Sequence, residues 1–516
     1  MKHILTTSTL CILIFCSCTK YKNEYAITKP VIVPLIISAD SIKVDPSGYN
    51  PLCALIHFIT PFQGKAAIRV VGQDGPNSDI QHIFNDYGYT HNIPVIGLYP
   101  NFLNTIDVAI LNNNNDTLGQ TSVSIKTNPL PPGMPLSIII DTADYNNLES
   151  GLNLISNFST TNPYIPLMID NYGKIRWLLN YSTNDTLKTL YYNCGIAKLR
   201  NGNFFFGDDN SSIIYEVDLL GYILNKWDLK GYIFHHSVIE KPNGNFLATV
   251  TNPDSKRLNG KSTIEDYVIE LDRRTGNIIN TWDLKESLDE NRQLLNFTAQ
   301  DWIHVNALVY DSSDNTIIVS GRYQGVVKLT YDNHVKWILG PHKGWGTNRR
   351  GEDLNQFLLT PLDANGNPIT DSNVVNGDKG RPDFDWNWGQ HCIIQLPDGN
   401  MMMFDNGFDR NFQKTIKYSR ALEFKIDAVN KTVQQIWAYG EDRGIDTYAA
   451  ALSSVQYLPE KDHILFCPGY FVINNHGLGG KILEIDYKTK KLVFQSSIST
   501  ASGWAFHRVY RISAYP

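Results

Sequence analysis

Short runs rich in Val, Ile, Phe, Tyr and Trp alternate along this chain with clusters of Gly, Asn, Asp and Pro. No long stretch carries the spacing of an amphipathic helix, and many Asn-Gly and Asp-Gly pairs stand where hairpins turn. The pattern predicts an all-β protein. Over the first part the β-rich runs are Val31–Ile37, Leu55–Thr60, Ala67–Val71, Ile106–Leu111 and Ser122–Ile125, separated by turns such as Asp74–Asn77 and Asn112–Asp116. They fit a small β-sandwich domain over residues 18–128. A stiff Pro-rich linker, 129–135, follows.

Beyond the linker the chain repeats itself. A turn, a short run and an aromatic recur at Gly173–Trp177, Gly221–Trp227, Gly276–Trp282, Asn333–Trp337, Val433–Trp437 and Leu492–Phe494. The intervals are 50, 55, 55, 100 and 57 residues, and the long one holds a polar insertion at about Lys343–Trp388. Six units of ~50 residues remain, each too short to bury a core alone. One unit reads as four strands: His236–Lys241, Phe246–Thr251, Tyr267–Leu271 and Ile278–Trp282. Six such units arranged radially make a six-bladed β-propeller over 136–516.

Register within the repeats singles out candidate chemistry. Six residues before the first hairpin turn stand Cys194, His236, His304, His391 and Ser453. The first strand of a blade lines the central channel, so equal register places these side chains at one height around it. Asn306, two residues after His304, shares its face, and Arg322 emerges beside it from the returning strand. Alone, Arg322 reads as a surface arginine; beside three histidines it reads as an anion clamp. Asp405-Asn406-Gly407 holds the comparable place after His391. The bland alternative is that the histidines are simply satisfied within their strands.

Charge narrows the partners. Lys+Arg 45 against Asp+Glu 51 gives −6 with no basic block, so nucleic acid is not an expected partner. Lys2 and His3 precede an apolar run, Ile4–Phe15, too short to span a bilayer. It ends at Phe15-Cys16-Ser17-Cys18, like a lipoprotein signal over 1–17 with Cys18 as the lipidated first mature residue. The expectation is export, to the periplasm or outer membrane, with a membrane anchor at Cys18; an ordinary cleaved signal is the alternative. Four cysteines remain in the folded part, at 53, 194, 392 and 467, and their spacing does not decide whether disulfides form.

Several chemistries are disfavoured. None of the three histidines belongs to a His-Glu-x-x-His pair, and Arg322 repels a divalent cation, so no metal and no cofactor is expected. Gly260-Lys261-Ser262 ends like a P-loop, but Ser255 stands where the first glycine belongs. No Gly-x-Ser-x-Gly elbow announces a serine hydrolase, and no Cys/Ser-x-Pro-x-Arg run announces a sulfatase. Histidine, arginine and asparagine remain, a set suited to an oxyanion. Trp302, Tyr323, Trp345, Trp386, Trp388 and Trp504 are candidates for a ring-stacking wall, although propeller aromatics mostly pack between blades.

Asp301–Asn306, Val319–Gln324 and Trp337–Gly340 together resemble the core of the bacterial arylsulfate sulfotransferases. So do His235-His236 before Pro242–Asn245, and Gln390-His391 before Phe404–Gly407. Asn50–Phe58 and His91–Pro100 resemble that family's sandwich domain. The resemblance implies transfer of a sulfuryl group from an aryl sulfate donor to a phenolic acceptor, without a nucleotide sulfate donor. It further implies ping-pong kinetics through a sulfohistidine. By motif position His391 matches the nucleophile, while His236, His304, Asn306 and Arg322 match sulfate-binding and acid–base groups. Ser453 falls where the family carries a hydroxyl, Tyr323 stands in the pocket motif, and a homodimer is left open. Two departures bear on acceptor choice: Ser237 follows His236 where an acidic residue is expected, and the 343–388 insertion lies near the channel mouth. The rival reading is a non-catalytic, ligand-binding propeller lipoprotein.

Overall fold

The computed structural model describes residues 32–516 except 132, 133, 135, 136, 157–162, 192, 296, 297, 299 and 501. The signal segment and Cys18 therefore lie outside the described residues. Six sheets of four or more strands follow one another through the chain, in addition to an N-terminal sheet of six strands.

Each of the middle blades is an up-and-down meander. Blade two runs Ala197–Lys198, Phe204–Asp208, Ile213–Val217 and Ile223–Asp228; blade three runs Ile233–Glu240, Phe246–Thr251, Tyr267–Leu271 and Ile278–Asp283. Blade four comprises Val305–Asp311, Thr316–Gly321, Gly325–Leu329 and Val335–Leu339. The first hairpins of blades two, three and five turn on Gly202, Gly244 and Gly399, all at φ 90°, a backbone that glycine adopts without a Cβ penalty. The repeating tryptophans end the outer strands and staple one blade to the next. Trp177, Trp227, Trp282 and Trp437 donate to the carbonyls of Leu219, Arg273, Thr330 and Tyr487 at 2.8–2.9 Å.

Both ends of the propeller domain close the ring. Blade one takes Leu152–Ile155, Leu167–Ile169 and Ile175–Leu178 from its start, but its innermost strand is Val509–Ile512 from the C-terminus. Blade six, from Ser454–Leu458 to Leu492–Ser499, takes Ser137–Ala143 as an extra outer strand. Lys198 then ties blade two to the C-terminal segment through the carbonyls of Ser513 and Tyr515.

Part of the 343–388 insertion becomes an edge of blade five. Thr360–Leu362 pairs parallel to the outer strand Thr432–Tyr439. Phe384, Trp386 and Trp388 fill the core shared with blade four.

In the N-terminal domain the long strands Cys53–Val70 and Ile80–Ile96 pair with each other through register breaks at 59–64 and 65–67. Their two halves bury Ile56, Val95, Ile68 and Ile80 in one cluster. The strand Ile80–Ile96 was absent from the sequence pattern, because the residues at its middle, Asn85, Asp86, Tyr87, Tyr89 and Thr90, are exposed on both faces. The domain is fastened to blade one by buried Arg176, which bonds Gly97 O, Ser78 O and Tyr99 Oη. All four remaining cysteines are buried.

Candidate active site

The innermost strands of blades three, four and five break register beside their histidines. Pairing jumps between Phe234 and Val238, between Val305 and Ala307, and between His391 and Ile394. His236, His304 and Cys392 take left-handed backbone, at φ 53°, 55° and 49°. Such bulges re-aim side chains, and left-handed non-glycine residues cost about 1–3 kcal/mol that the surroundings must over-determine. Here the effect is convergence on the channel axis. The rings of His236 and His304 lie 4.9 Å apart, and those of His304 and His391 6.3 Å apart. Two histidines that register did not single out join them. His507 lies 5.4 Å from His236, and His235 sets its Nδ1 3.2 Å from the His236 Nδ1.

His304 is held cationic. Its Nδ1 donates to Asp301 at 2.8 Å, and a Glu265 oxygen lies equally close but off the N–H axis, so it contributes charge rather than a hydrogen bond. Burial opposes the charge, yet the Glu265 and Asp301 carboxylates outweigh it and lift the His304 pKa to about 9. Burial would raise the Glu265 carboxyl in turn, but His304 holds it below the usual range. Glu265 stands in the loop between the second and third strands of blade three, at φ 55°, its N–H on Thr251 Oγ1 and its carbonyl on Val305 N. It sets a carboxylate 2.8 Å from His304 Nδ1 and 3.9 Å from His236 Nδ1.

His391 is the opposite case. Burial first, then Arg322 and His304, push its pKa well below the ordinary imidazole value, so it is neutral. Its Nδ1 faces Asn406 Oδ1 at 2.8 Å and Gly389 O at 3.1 Å. The Asn406 amide is itself oriented, since its Nδ2 donates to Ala449 O and Leu452 O at 2.8 and 3.1 Å. Two acceptors on Nδ1 require the proton there and leave the lone pair on Nε2. The loop carrying Asn406 is clamped through Asp405, which accepts from Trp388 N, Arg410 and Arg420 at 2.7–2.9 Å. The end of the insertion thus braces the partner of His391.

The remaining expected residues are placed unequally. Arg322 donates its backbone N–H to His304 O, spans to Ala450 O at 2.9 Å, and leaves its Nε without a partner among the described residues. Tyr323 reaches His304 with its ring at 5.6 Å and meets Arg322 through its hydroxyl at 3.3 Å. Asn306 spends its Nδ2 on Gln390 O, the peptide before His391, and acts as a brace between blades. Ser453 stands at ring height, its N–H on His507 O, but its hydroxyl bonds Gly469 N and Ala451 O, not a histidine. Of the proposed aromatic wall, Trp302, Trp345, Trp386 and Trp388 are buried with their indole N–H groups on Asp266, Pro341, Val374 and Asp385, so they are core. Phe408, which was not anticipated, packs on the Arg322 guanidinium at 5.0 Å.

Ligand atoms of His235, His236 and Glu265, and of Glu265, Asp301 and His304, cluster within 4.8 Å and are those able to hold a cation. His304 Nδ1 already engages both carboxylates, through a hydrogen bond to Asp301 and through charge with Glu265. The arrangement therefore offers a neutral nucleophile, a cationic acid and an arginine around one axis.

Residues 139–511 match the family model described as arylsulfotransferase, and residues 41–129 match the arylsulfotransferase Ig-like domain. An arylsulfate sulfotransferase AssT of Escherichia coli O6:H1 is 28% identical over 88% of this chain and 89% of its own. A protein of the same name from Lelliottia amnigena is 29% identical, over 87% and 88%. A virginiamycin B lyase structure from Staphylococcus aureus is similar at TM-score 0.34 and 10% identity, over 70% of this chain and 88% of its own, and carries no functional reading.

Proposed function

The chain belongs to the arylsulfotransferase family, and from that premise we propose that it moves a sulfuryl group from an aryl sulfate to a phenol in two steps, with His391 carrying the group between them. The observation that supports this most is the fixed tautomer of His391. Its Nε2 lone pair attacks sulfur, an N–S bond forms, and the S–O bond to the aryl group breaks. The ring becomes positive as it does so, and the two oxygens on Nδ1–H stabilise that charge. The departing phenolate takes a proton from cationic His304. In the second half the acceptor oxygen attacks sulfur, its proton returns to His304, and the N–S electron pair returns to Nε2. Sulfuryl transfer is loose and in-line like phosphoryl transfer, so positioning and charge carry most of the catalysis. In this reading Arg322, near enough to His391 to push its pKa down, supplies that charge.

A chromogenic aryl sulfate, assayed after exhaustive chelation, checks this. Turnover should require a phenol acceptor and persist without added metal. Without acceptor, a burst of one phenol per enzyme should appear. Turnover that is unchanged by phenol, or lost on chelation and restored by zinc, contradicts the reading.

We also propose that the mature chain is anchored through lipidated Cys18 outside the cytoplasm, on the strength of the apolar run ending at Cys18. Cys18→Ala should move the exported protein from the membrane to the soluble fraction. A wild type that is fully soluble after export contradicts the anchor.

A further inference from the structure

We propose that His507 is a fourth ligand of the transferring group, its ring N–H donating to a non-bridging oxygen of the sulfonate; this rests on the sulfuryl-transfer reading above. The inference starts from an imbalance. His507 is 1% exposed, yet neither ring nitrogen has a hydrogen-bond partner among the described residues. Native interiors satisfy the large majority of their buried polar atoms, and an imidazole with both nitrogens idle is a site that expects a ligand.

Its place in the fold says which ligand. The innermost strand of blade one begins two residues later, at Val509, and the His507 carbonyl accepts from Ser453 N at 2.9 Å. That puts the side chain at the height of the other histidines, with its ring 5.4 Å from His236. His304 and His391 are near enough to couple with it electrostatically. A sulfate ester presents three non-bridging oxygens. Arg322 and His304 approach them from blade four and His236 from blade three, and His507 completes the ring from blade one.

The next residue explains why His507 donates as a neutral ring. Arg508 is buried and held by neutral acceptors only: Asn306 O, Ser237 Oγ at 3.4 Å and Tyr510 Oη at 3.3 Å. No carboxylate pairs with it among the described residues, and its Nε is idle as well. Burial, this guanidinium and His304 together keep His507 neutral, with one N–H to give.

The test compares His507→Phe, which keeps a ring without an N–H, and His507→Gln, which keeps a donor. Each is measured for calorimetric affinity towards a non-transferable aryl sulfonate, for kcat/KM with an aryl sulfate, for burst amplitude, and for unfolding midpoint. Expected for His507→Phe is at least tenfold weaker sulfonate binding and a kcat/KM lower by roughly ten- to a thousandfold, with full burst amplitude because His391 is intact. Its unfolding midpoint should not fall, since an unsatisfied polar ring is replaced by an apolar one. His507→Gln should recover most of the binding. Affinity and kcat/KM within threefold of wild type in His507→Phe overturn the proposal. So does a destabilised His507→Phe whose binding His507→Gln fails to recover. If wild type neither binds the sulfonate nor turns over the ester, the reaction itself is misread; if it does both and His507→Phe matches it, only the role of His507 falls.

Discussion

Two imidazoles about 6 Å apart are driven in opposite directions by what surrounds them. His391 meets burial and cations and loses its proton; His304 meets Glu265 and Asp301 and keeps it. The proposed mechanism uses the form with His391 neutral and His304 charged. The rate of the donor half-reaction should therefore fall as pH rises through about 9, where His304 deprotonates. On the acid side it should hold until well below the ordinary imidazole range, where His391 protonates. Glu265→Gln removes one of the two supporting charges and should move the alkaline limb down by about one unit or more, leaving the acid limb in place. Burst rates across pH measure this without interference from the acceptor's own ionisation; an unmoved alkaline limb means His304 is not the acid. His236, His304 and His391 were legible in the sequence because each sits six residues before a hairpin. Glu265 was not, because it comes from a loop outside that register and reaches His304 across a blade boundary.

At the scale of elements, the same inner strand that builds each blade also bends to aim its histidine. The register breaks beside His236, His304 and His391 were not readable, since a bulge adds no distinctive residue type. The outer strand was readable, because its tryptophan recurs, and the structure shows what the recurrence is for. Trp282 is fully buried and donates to Thr330 O at 2.9 Å, joining blades three and four. Trp282→Phe leaves that carbonyl unpaired beside a small cavity and should cost about 2–4 kcal/mol of stability. Chemical denaturation measures the loss, and the burst amplitude per folded enzyme should be unchanged. A stability change under about 0.5 kcal/mol would show that the staple carries no net energy.

At the scale of the molecule, six blades close only when the C-terminal strand returns to blade one, and that return brings His507 and Arg508 into the channel. His507 was not legible in the sequence, because no hairpin turn follows it at the spacing that marked the other histidines. The N-terminal domain is held against this ring by Arg176 and by Tyr515, whose hydroxyl meets Ile96 N and Pro94 O at 3.0 Å. The fold thus gathers a neutral imidazole from blade five, a cationic one from blade four and a carboxylate from blade three. Whether His391 carries the group decides the account. Enzyme mixed with aryl sulfate in the absence of phenol, digested without acid and mapped by mass spectrometry, should show about 80 Da, the mass of SO3, added to the peptide containing His391 and lost on adding phenol. A label on the peptide of His236, His304 or His507, or no label during a full burst, would contradict it.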